Sequence, residues 1–415
     1  MKNINRNIGV AMLGARMHYA VPAILHAAGR LERFYTDSFR RTNAERVLFG
    51  KLERLEATPK LVKMFAGRYT EDLAGADVVR FEALGIRNAL QRRRVHSRSE
   101  KELVNDAMAK AFGARALGAG AGAHDMLYAF KGAALEIFEG AGPKTIKILE
   151  QSILPYDPTT RLLGTEQEQW GDWYRKPAEF QFLERTVDRE KREWALADLI
   201  VTASEFVRQG LLECGVPDRK IAVVPYGIPL PEIAPPRERV GPLRILFAGM
   251  VGLRKGAHHL LRSLEEFAPE DVQAVFAGDC ELSPDVQERY KTRATFLGRV
   301  PRAQMTSLYR DSDVFVLPSI VEGSATVTYE AMATGLPIIT TANAGSLVID
   351  GVNGQVVPVG DALAIAEAIR TYMNNETIWS SHASEALKMR HEVSREAYGE
   401  RLMTVLEDFE PNRQG

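Results

Sequence analysis

The sequence predicts an α/β protein with two successive parallel-sheet domains that face each other across a cleft. Short apolar strands alternate with helical segments in both halves of the chain, and this alternation is typical of parallel sheets built from βαβ units. A segment rich in proline and charged residues separates the halves and contains Pro229, Pro231, Pro235, Pro236 and Pro242. Because proline fixes φ and interrupts regular structure, this segment is the predicted linker.

The first half is predicted to form one sheet from short apolar runs that end at polar or turn-forming residues. Its strands are expected at Ile8–Leu13, Leu31–Tyr35, Asp125–Phe130, Thr145–Leu149, Leu199–Ala203 and Ile221–Val224. Helices are expected at Ala20–Arg30, Ala133–Gly140, Arg189–Ala197 and Val207–Cys214, and a long basic stretch from Asn43 to Ala116 also has a helical pattern.

The second half has a clearer strand series, at Arg244–Ala248, Val272–Ala277, Ala294–Leu297, Val314–Leu317, Ile338–Thr341 and Gln355–Val357. The segment Ser394–Phe409 is predicted to be an amphipathic helix, with Leu402, Val405 and Leu406 along one side. We therefore expect domains at residues 1–237 and 238–392, followed by a C-terminal helical segment at 393–415.

The composition is that of an ordinary globular protein, with 415 residues, 45% of them hydrophobic and 26% charged. A net charge of −1 argues against broad nucleic-acid binding. Cys214 and Cys280 give neither a metal-ligand spacing nor a disulfide framework, which favours a reducing cytoplasm. No apolar run of roughly 18 residues occurs, so no membrane span is expected.

Two glutamates follow the strand Val314–Leu317, in the stretch VFVLPSIVEGSATVTYE. Glu322 lies in a polar turn and Glu330 in the helix that follows it. Ligands of parallel sheets bind where strands end and helices begin, and carboxylates at that edge accept hydrogen bonds from vicinal hydroxyls. The pair therefore suits a sugar or a ribose. The alternative is a solvated loop glutamate beside an ordinary helix glutamate.

A second constellation follows the strand RILFAG, in the sequence MVGLRKGAHHLL. Gly249 and Gly252 permit close backbone approach, and Arg254 and Lys255 add a guanidinium and an ammonium group. This combination suits a diphosphate, although a basic helix cap without a ligand is the alternative. The segment is neither a Walker loop nor a dinucleotide fingerprint, because the required glycines are absent.

Together these motifs resemble the signature of family-four retaining nucleotide-sugar glycosyltransferases, which have the GT-B fold of two Rossmann-like domains. Further matches occur in the family's order at LIVTASEFVRQ, PYGI, FAGDC and VIDGVNGQVVPVGD. The resemblance extends from about Arg189 to Asp361 and is weak before that. This chain has Ser324-Ala325 where the family has Phe-Gly, so the sugar pocket is expected to differ. In PYGI it has Tyr226 where the family has Asn.

The resemblance implies a role for each of these residues. Arg254 and Lys255 would hold the donor diphosphate, Glu322 the sugar and Glu330 the ribose. The C-terminal helix would return to pack on the first domain. The reaction would retain anomeric configuration without a metal ion, and the nucleoside-diphosphate sugar would be a co-substrate with no separate cofactor. Further donor contacts are expected at Gly14, Gly249, Gly252, Gly278, Arg299, Gly323, Ser324, Ala325 and Thr326.

The acceptor side is harder to read from the sequence. In the loop GARMHYAVP, Arg16, His18 and Tyr19 are expected to point into the cleft if Ile8–Leu13 is the first strand. His18 and Glu150 are the candidate catalytic groups of this domain, although a lone histidine is more often structural. The family's histidine-containing turn has no obvious counterpart after Thr145–Leu149, where Glu150 and Gln151 stand instead.

The run Arg87–Lys101 is strongly basic. It suits contact with anionic lipid at the inner face of a membrane, contact with an anionic acceptor, or a solvated helix face. It lacks the aromatic residues that single-stranded nucleic-acid binding requires. The expected partners are thus a nucleotide-sugar donor and a saccharide or lipid-linked acceptor.

The leading hypothesis is a glycosyltransferase of glycan, glycolipid or polysaccharide biosynthesis. A second hypothesis is a nucleotide-sugar epimerase on the same fold, which would place His18 and Glu150 around one sugar. A third is an inactive regulatory protein that binds the donor. The intact set of Arg254, Lys255, Glu322 and Glu330 argues against the third.

Overall fold

The computed structural model describes residues 7–39, 68–176, 182–232 and 241–409. It contains two parallel sheets, as the sequence predicts. The first sheet consists of β1 Ile8–Met12, β2 Leu31–Thr36, β3 Val78–Arg80, β4 Met126–Phe130, β5 Ile146–Gln151, β6 Leu199–Thr202 and β7 Ile221–Val223. Its strand order is β3-β2-β1-β4-β5-β6-β7. The carboxyl ends of β1, β2, β4 and β5 therefore lie side by side at one edge.

The helices around this sheet are α1 Ala20–Ala27, α2 Glu82–Arg94, α3 Arg98–Gly118, α4 Leu135–Gly140, α5 Tyr156–Trp170, α6 Glu184–Leu196 and α7 Glu205–Glu213. The basic stretch that was predicted to be helical is only partly so: its described part contains the short 3-10 helix Glu71–Leu73 and strand β3 as well as helices α2 and α3. Ser97 separates these helices, because its hydroxyl and Glu100 form a reciprocal capping box that starts α3. Residues 43–67 of the stretch lie outside the described part.

The second sheet consists of β8 Leu243–Ala248, β9 Val272–Ala277, β10 Ala294–Gly298, β11 Val314–Leu317, β12 Ile338–Thr340 and β13 Gly354–Val356, in the order β10-β9-β8-β11-β12-β13. All of these strands were predicted to within about a residue, because buried parallel strands are continuous apolar runs. The helices are α8 Ala257–Ser263, α9 Pro284–Arg289, α10 Arg302–Arg310, α11 Thr326–Ala333, α12 Ala362–Asn374 and α13 Glu376–Lys388.

The last helix, α14 Arg395–Asp408, contacts α1 of the first domain. The Ile228 amide donates to the Val393 carbonyl at 2.8 Å, and Arg395 pairs with Asp72 at 2.6 Å. The chain therefore crosses back from the second sheet to the first. None of the described helices has both the length and the apolar character needed to cross a membrane.

Candidate active site

Two cations and one carboxylate meet where β8 and β11 end. Glu322 Oε1 lies 2.7 Å from Lys255 Nζ and 2.9 Å from Arg254 Nη1. The Glu322 and Lys255 side chains are each 10% exposed, whereas that of Arg254 is 37% exposed. Burial would raise the pKa of the Glu322 carboxyl, but the charges of Lys255 and Arg254 outweigh it and lower that pKa. The sequence-predicted diphosphate and sugar groups thus form one charged cluster.

The backbone beside this cluster is packed too closely for side chains. A Cβ on Gly278 would lie 1.8 Å from the Gly249 carbonyl oxygen, and one on Gly249 would lie 2.8 Å from Lys255 Cε. Gly249 also has φ of +115°, a conformation that L side chains rarely adopt. Gly252 precedes the short turn Leu253–Lys255. The glycines therefore let the turn carry Arg254 and Lys255 to the sheet edge.

Gly323 of the second domain lies in direct contact with the first domain. A Cβ at this position would lie 2.0 Å from the Ser152 carbonyl oxygen of the first domain. The Ser204 hydroxyl, which also belongs to the first domain, donates to the Gly323 carbonyl. The loop that carries Glu322 is consequently held against the first domain, so that groups from both domains can reach one ligand.

Glu330 lies in a different part of the cleft from Glu322. It lines a cavity of about 410 Å³ together with His18, Arg302, Thr326 and Arg395. Its Oε2 accepts a hydrogen bond from the Tyr309 hydroxyl at 2.8 Å. No sequence motif pointed to Tyr309, which belongs to helix α10 and lies twenty-one positions before Glu330 in the chain. The carboxylate is thereby oriented on a cavity wall that both domains provide.

The remaining predicted donor residues divide into lining and supporting positions. Thr326 begins α11 and lines the cavity of Glu330. The Ser324 hydroxyl bonds to the Tyr329 hydroxyl at 2.8 Å, and the buried Ala325 amide donates to the Ala344 carbonyl at 2.9 Å. The side chain of Arg299 is 82% exposed and pairs with Asp279 at 2.6 Å. Arg299 is not among the described residues that line the cavity of Glu330.

Only some of the residues in the loop after β1 point into the cleft as predicted. Arg16 is exposed and, with Gly14, lines a cavity of about 500 Å³. His18 is exposed and lies 3.4 Å from Arg302 of the second domain. Tyr19 does not point into the cleft, because it is 1% exposed and packs on Phe34. Met17, His18 and Tyr19 all have positive φ, a strained conformation for residues other than glycine.

Glu150 is not in the cleft. It is fully buried, and its carboxylate accepts hydrogen bonds from the Tyr128 and Tyr226 hydroxyls. Burial raises the pKa of this carboxyl. Successive strand residues point to opposite faces of the sheet, so a strand-end position alone did not decide where Glu150 points. The epimerase hypothesis required Glu150 and His18 around one sugar, and this placement does not support it.

A buried cluster links helix α5 of the first domain to helix α8 of the second. His258 Nε2 and His259 Nε2, both in α8, lie 2.7 and 2.9 Å from Glu166 Oε2 in α5. The hydrogen bonds from both histidines outweigh burial and lower the pKa of Glu166 to about 2, while burial lowers the pKa of His258 to about 4. Among the described residues these three form the group whose ligand atoms, within 4.8 Å of one another, could hold a metal ion.

Residues 242–375 match the family model of the glycosyl transferases group 1. The match covers the second sheet, the Arg254–Lys255 turn and both cleft glutamates, and it leaves more than half of the chain unmatched. Sequence similarity to characterised proteins is also partial, as the chain spans about half the length of the curated relatives it matches.

The D-inositol 3-phosphate glycosyltransferase of Xylanimonas cellulosilytica is 32% identical over 208 residues, which cover 43% of this chain and 49% of that protein. The capsular polysaccharide biosynthesis glycosyltransferase CapM of Staphylococcus aureus is 27% identical over 181 residues, which cover 41% and 47%.

Solved structures match almost the whole chain. Sucrose-phosphate synthase from Thermosynechococcus elongatus aligns with a TM-score of 0.65 at 17% identity, over 97% of this chain and 98% of its own. Anabaena Alr3699/HepE, solved in complex with UDP and glucose, aligns with a TM-score of 0.61 at 15% identity, over 97% and 100%. The fold is GT-B. In GT-B terms, Glu322 and Glu330 lie on the second domain, and the 500 Å³ cavity lies in the first.

Proposed function

We propose that this protein is a glycosyltransferase that moves a sugar from a nucleoside-diphosphate sugar to an acceptor hydroxyl in glycan biosynthesis. The observation that carries the proposal is the contact of Arg254, Lys255 and Glu322 at the carboxyl edge of the second sheet. The partial match to the glycosyl transferases group 1 model and the names of the relatives support the same activity.

The donor is proposed to span the cleft from this charged cluster to the cavity of Glu330. Its diphosphate takes Arg254 and Lys255 as partners and displaces Glu322 from them. The freed Glu322 carboxylate then accepts hydrogen bonds from sugar hydroxyls. Glu330, held by Tyr309, accepts hydrogen bonds from the ribose. Anabaena Alr3699/HepE, which shares the fold, was solved in complex with UDP, and this supports a nucleoside diphosphate as part of the proposed donor.

The proposed chemistry needs no metal ion. The bond between the anomeric carbon and the diphosphate oxygen breaks, and its electron pair leaves with the nucleoside diphosphate. Arg254 and Lys255 stabilise the negative charge that develops on the leaving group. The acceptor oxygen bonds to the anomeric carbon from the same face and passes its proton to the departing phosphate oxygen. This route retains the anomeric configuration, as in the resembled family.

A turnover assay on two variants tests this proposal. Arg254→Ala and Lys255→Ala should each reduce release of nucleoside diphosphate from the donor by about 10²-fold, as loss of a charge-stabilising donor typically does. Arg262→Ala is the matched control, because Arg262 pairs with Glu265 elsewhere on the same domain. Full activity in either cleft variant would remove that residue from the proposed site.

A further inference from the structure

The 500 Å³ cavity of the first domain is strongly basic. It lies at the carboxyl ends of β1, β2, β4 and β5, and four cationic side chains line it: Arg16, Arg68, Arg92 and Lys131. Asp37 is the one carboxylate among the described lining residues. Lys131 directly follows strand β4, so this part of the charge was readable from the sequence as a cation at a strand end.

Two of the four cations are compensated. Arg68 Nη1 lies 3.5 Å from Asp37 Oδ1, and Lys131 Nζ lies 2.5 Å from Glu190 Oε1 while sitting over the Tyr156 ring. The Arg68 and Lys131 side chains are only 15% and 8% exposed. These two groups therefore form a fixed wall whose own charge is balanced by the protein.

The other two cations are not compensated in this way. Arg16 and Arg92 are exposed and form no ion pair with any residue in the described part of the chain. Glu150 interacts electrostatically with Arg16, but it does not line the cavity, and its buried carboxylate accepts hydrogen bonds from two tyrosines. Counted over the described residues, the cavity thus retains about two positive charges for a ligand.

Polar atoms in the cavity wall also lack partners. Within the described residues, Asn88 Oδ1 and Arg68 Nη1 are buried without a hydrogen-bond partner. Buried polar atoms of native proteins are nearly always hydrogen-bonded, to protein or to another group. Asn88 offers an amide and Arg68 a guanidinium, so the wall presents both donors and an acceptor to a polar ligand.

We propose that this cavity binds the phosphate group of a phosphorylated saccharide or polyol, which is the acceptor of the transfer. A phosphate monoester carries about −1.5 to −2 charges near neutral pH, which matches the uncompensated Arg16 and Arg92. One guanidinium group can donate two parallel hydrogen bonds to a phosphate, a geometry that an ammonium group does not offer. The inference rests on the proposed glycosyltransferase function and assigns the acceptor's chemical class.

The position of the cavity fits an acceptor. Ser152 and Ile153 line it, and Ser152 is the residue whose carbonyl faces Gly323 of the second domain. A ligand anchored at Arg16 and Arg92 therefore extends toward the loop that carries Glu322. Arg92 belongs to the basic run that the sequence linked to lipid, an anionic acceptor or solvent. Its place in this cavity favours the acceptor.

Calorimetry on the full chain tests the inference. Wild-type protein is first titrated with UDP, GDP and ADP, and the nucleotide that binds is then held at saturation while glucose 6-phosphate and glucose are titrated. We expect glucose 6-phosphate to bind and glucose to bind at least about tenfold more weakly, since charge-assisted hydrogen bonds contribute about 1.5–3 kcal/mol. Arg16→Gln and Arg92→Gln should each remove most of this preference.

Arg93→Gln is the matched control, because Arg93 is exposed on the same helix and does not line the cavity. Equal binding of glucose and glucose 6-phosphate would overturn the inference, as would an equal loss of affinity in Arg92→Gln and Arg93→Gln. If no nucleotide binds, the proposed function itself fails, so the two failures are distinguishable.

A transfer assay then separates the sources of the phosphate. Sugar phosphates, their neutral counterparts and short-chain polyprenyl-diphosphate sugars are offered with the active donor. Transfer to a soluble sugar phosphate or to the lipid-linked diphosphate would each support a phosphate-bearing acceptor and would identify its source. Transfer to neutral sugars alone would overturn the inference that the acceptor carries a phosphate.

Discussion

Replacement of Glu322 by glutamine probes the charged cluster most sharply, because it removes one charge and keeps the shape. In the free protein this carboxylate lies within 2.9 Å of both Arg254 and Lys255. Breaking a buried ion pair costs about 3–5 kcal/mol, and pairs with exposed groups contribute far less. Since Arg254 is more than a third exposed, we expect Glu322→Gln to lose roughly 2–3 kcal/mol of stability.

A nucleoside diphosphate should restore part of that loss. Its negative charges take the place of the missing carboxylate beside Arg254 and Lys255. The rise in melting temperature on adding nucleotide should therefore be larger in Glu322→Gln than in wild type, by several degrees, since about 1 kcal/mol corresponds to roughly 2–4 °C in a domain of about 150–250 residues. Sugar transfer from the bound donor should nevertheless fall, because the sugar loses its charged acceptor.

The assay is thermal denaturation of both proteins with and without UDP, GDP and ADP. Glu265→Gln is the matched control, because Glu265 is also ion-paired on the second domain but lies with Arg262 and Arg289. That control should show the wild-type nucleotide response. A smaller nucleotide response in Glu322→Gln than in wild type would refute the reasoning, because it would mean that Glu322 itself holds the nucleotide.

Three further predictions concern the ribose contact of Glu330, the need for a metal ion, and the buried cluster of Glu166, His258 and His259. Glu330→Gln should weaken nucleoside-diphosphate binding by roughly tenfold in calorimetry, because a charged hydrogen-bond acceptor is lost; an affinity equal to that of the Glu265→Gln control would contradict this. Activity should survive EDTA, whereas a complete loss that added metal ions reverse would exclude the metal-free mechanism. Folding lowers the pKa of His258 from 6.5 to about 4 and that of Glu166 from 4.5 to about 2. The unfolded chain then binds more protons in acid, so stability should fall as the pH drops below 6.5. In denaturant titrations, the unfolding free energy of the double variant His258→Gln, His259→Gln should change less between pH 6.5 and 4 than that of the wild type. An unchanged pH dependence would show that the cluster of these histidines with Glu166 does not titrate.

The sequence predicted the second sheet well because its strands are apolar runs bounded by glycine, proline or charge. The first domain was harder. Strand β3 has only three residues, Val78–Arg80, inside a basic stretch, so its helical neighbours dominated the pattern. Helix α5, Tyr156–Trp170, was not predicted at all. Short edge strands and partly exposed helices leave weak periodicities, which tertiary packing then overrides.

The candidate site, like the fold, was predicted from the sequence only in part. The sequence identified Arg254, Lys255 and Glu322 separately, but their contact depends on the pairing of β8 with β11, which only the structure shows. Glu150 shows the limit, because strand alternation alone did not decide which face its carboxylate takes. Contacts between distant positions, such as Glu166 with His258, more than ninety positions apart, leave no local pattern in a single sequence.

The central claim is that the cleft binds a nucleoside-diphosphate sugar through Arg254, Lys255 and Glu330. The most direct measurement is calorimetric titration of the wild-type chain with UDP, GDP and ADP in the presence of EDTA, repeated on Arg254→Ala. We expect at least one nucleotide to bind without metal and Arg254→Ala to weaken that binding by roughly tenfold or more, as loss of a charged hydrogen bond does. Binding of none of the three, or equal binding by the variant, would contradict it.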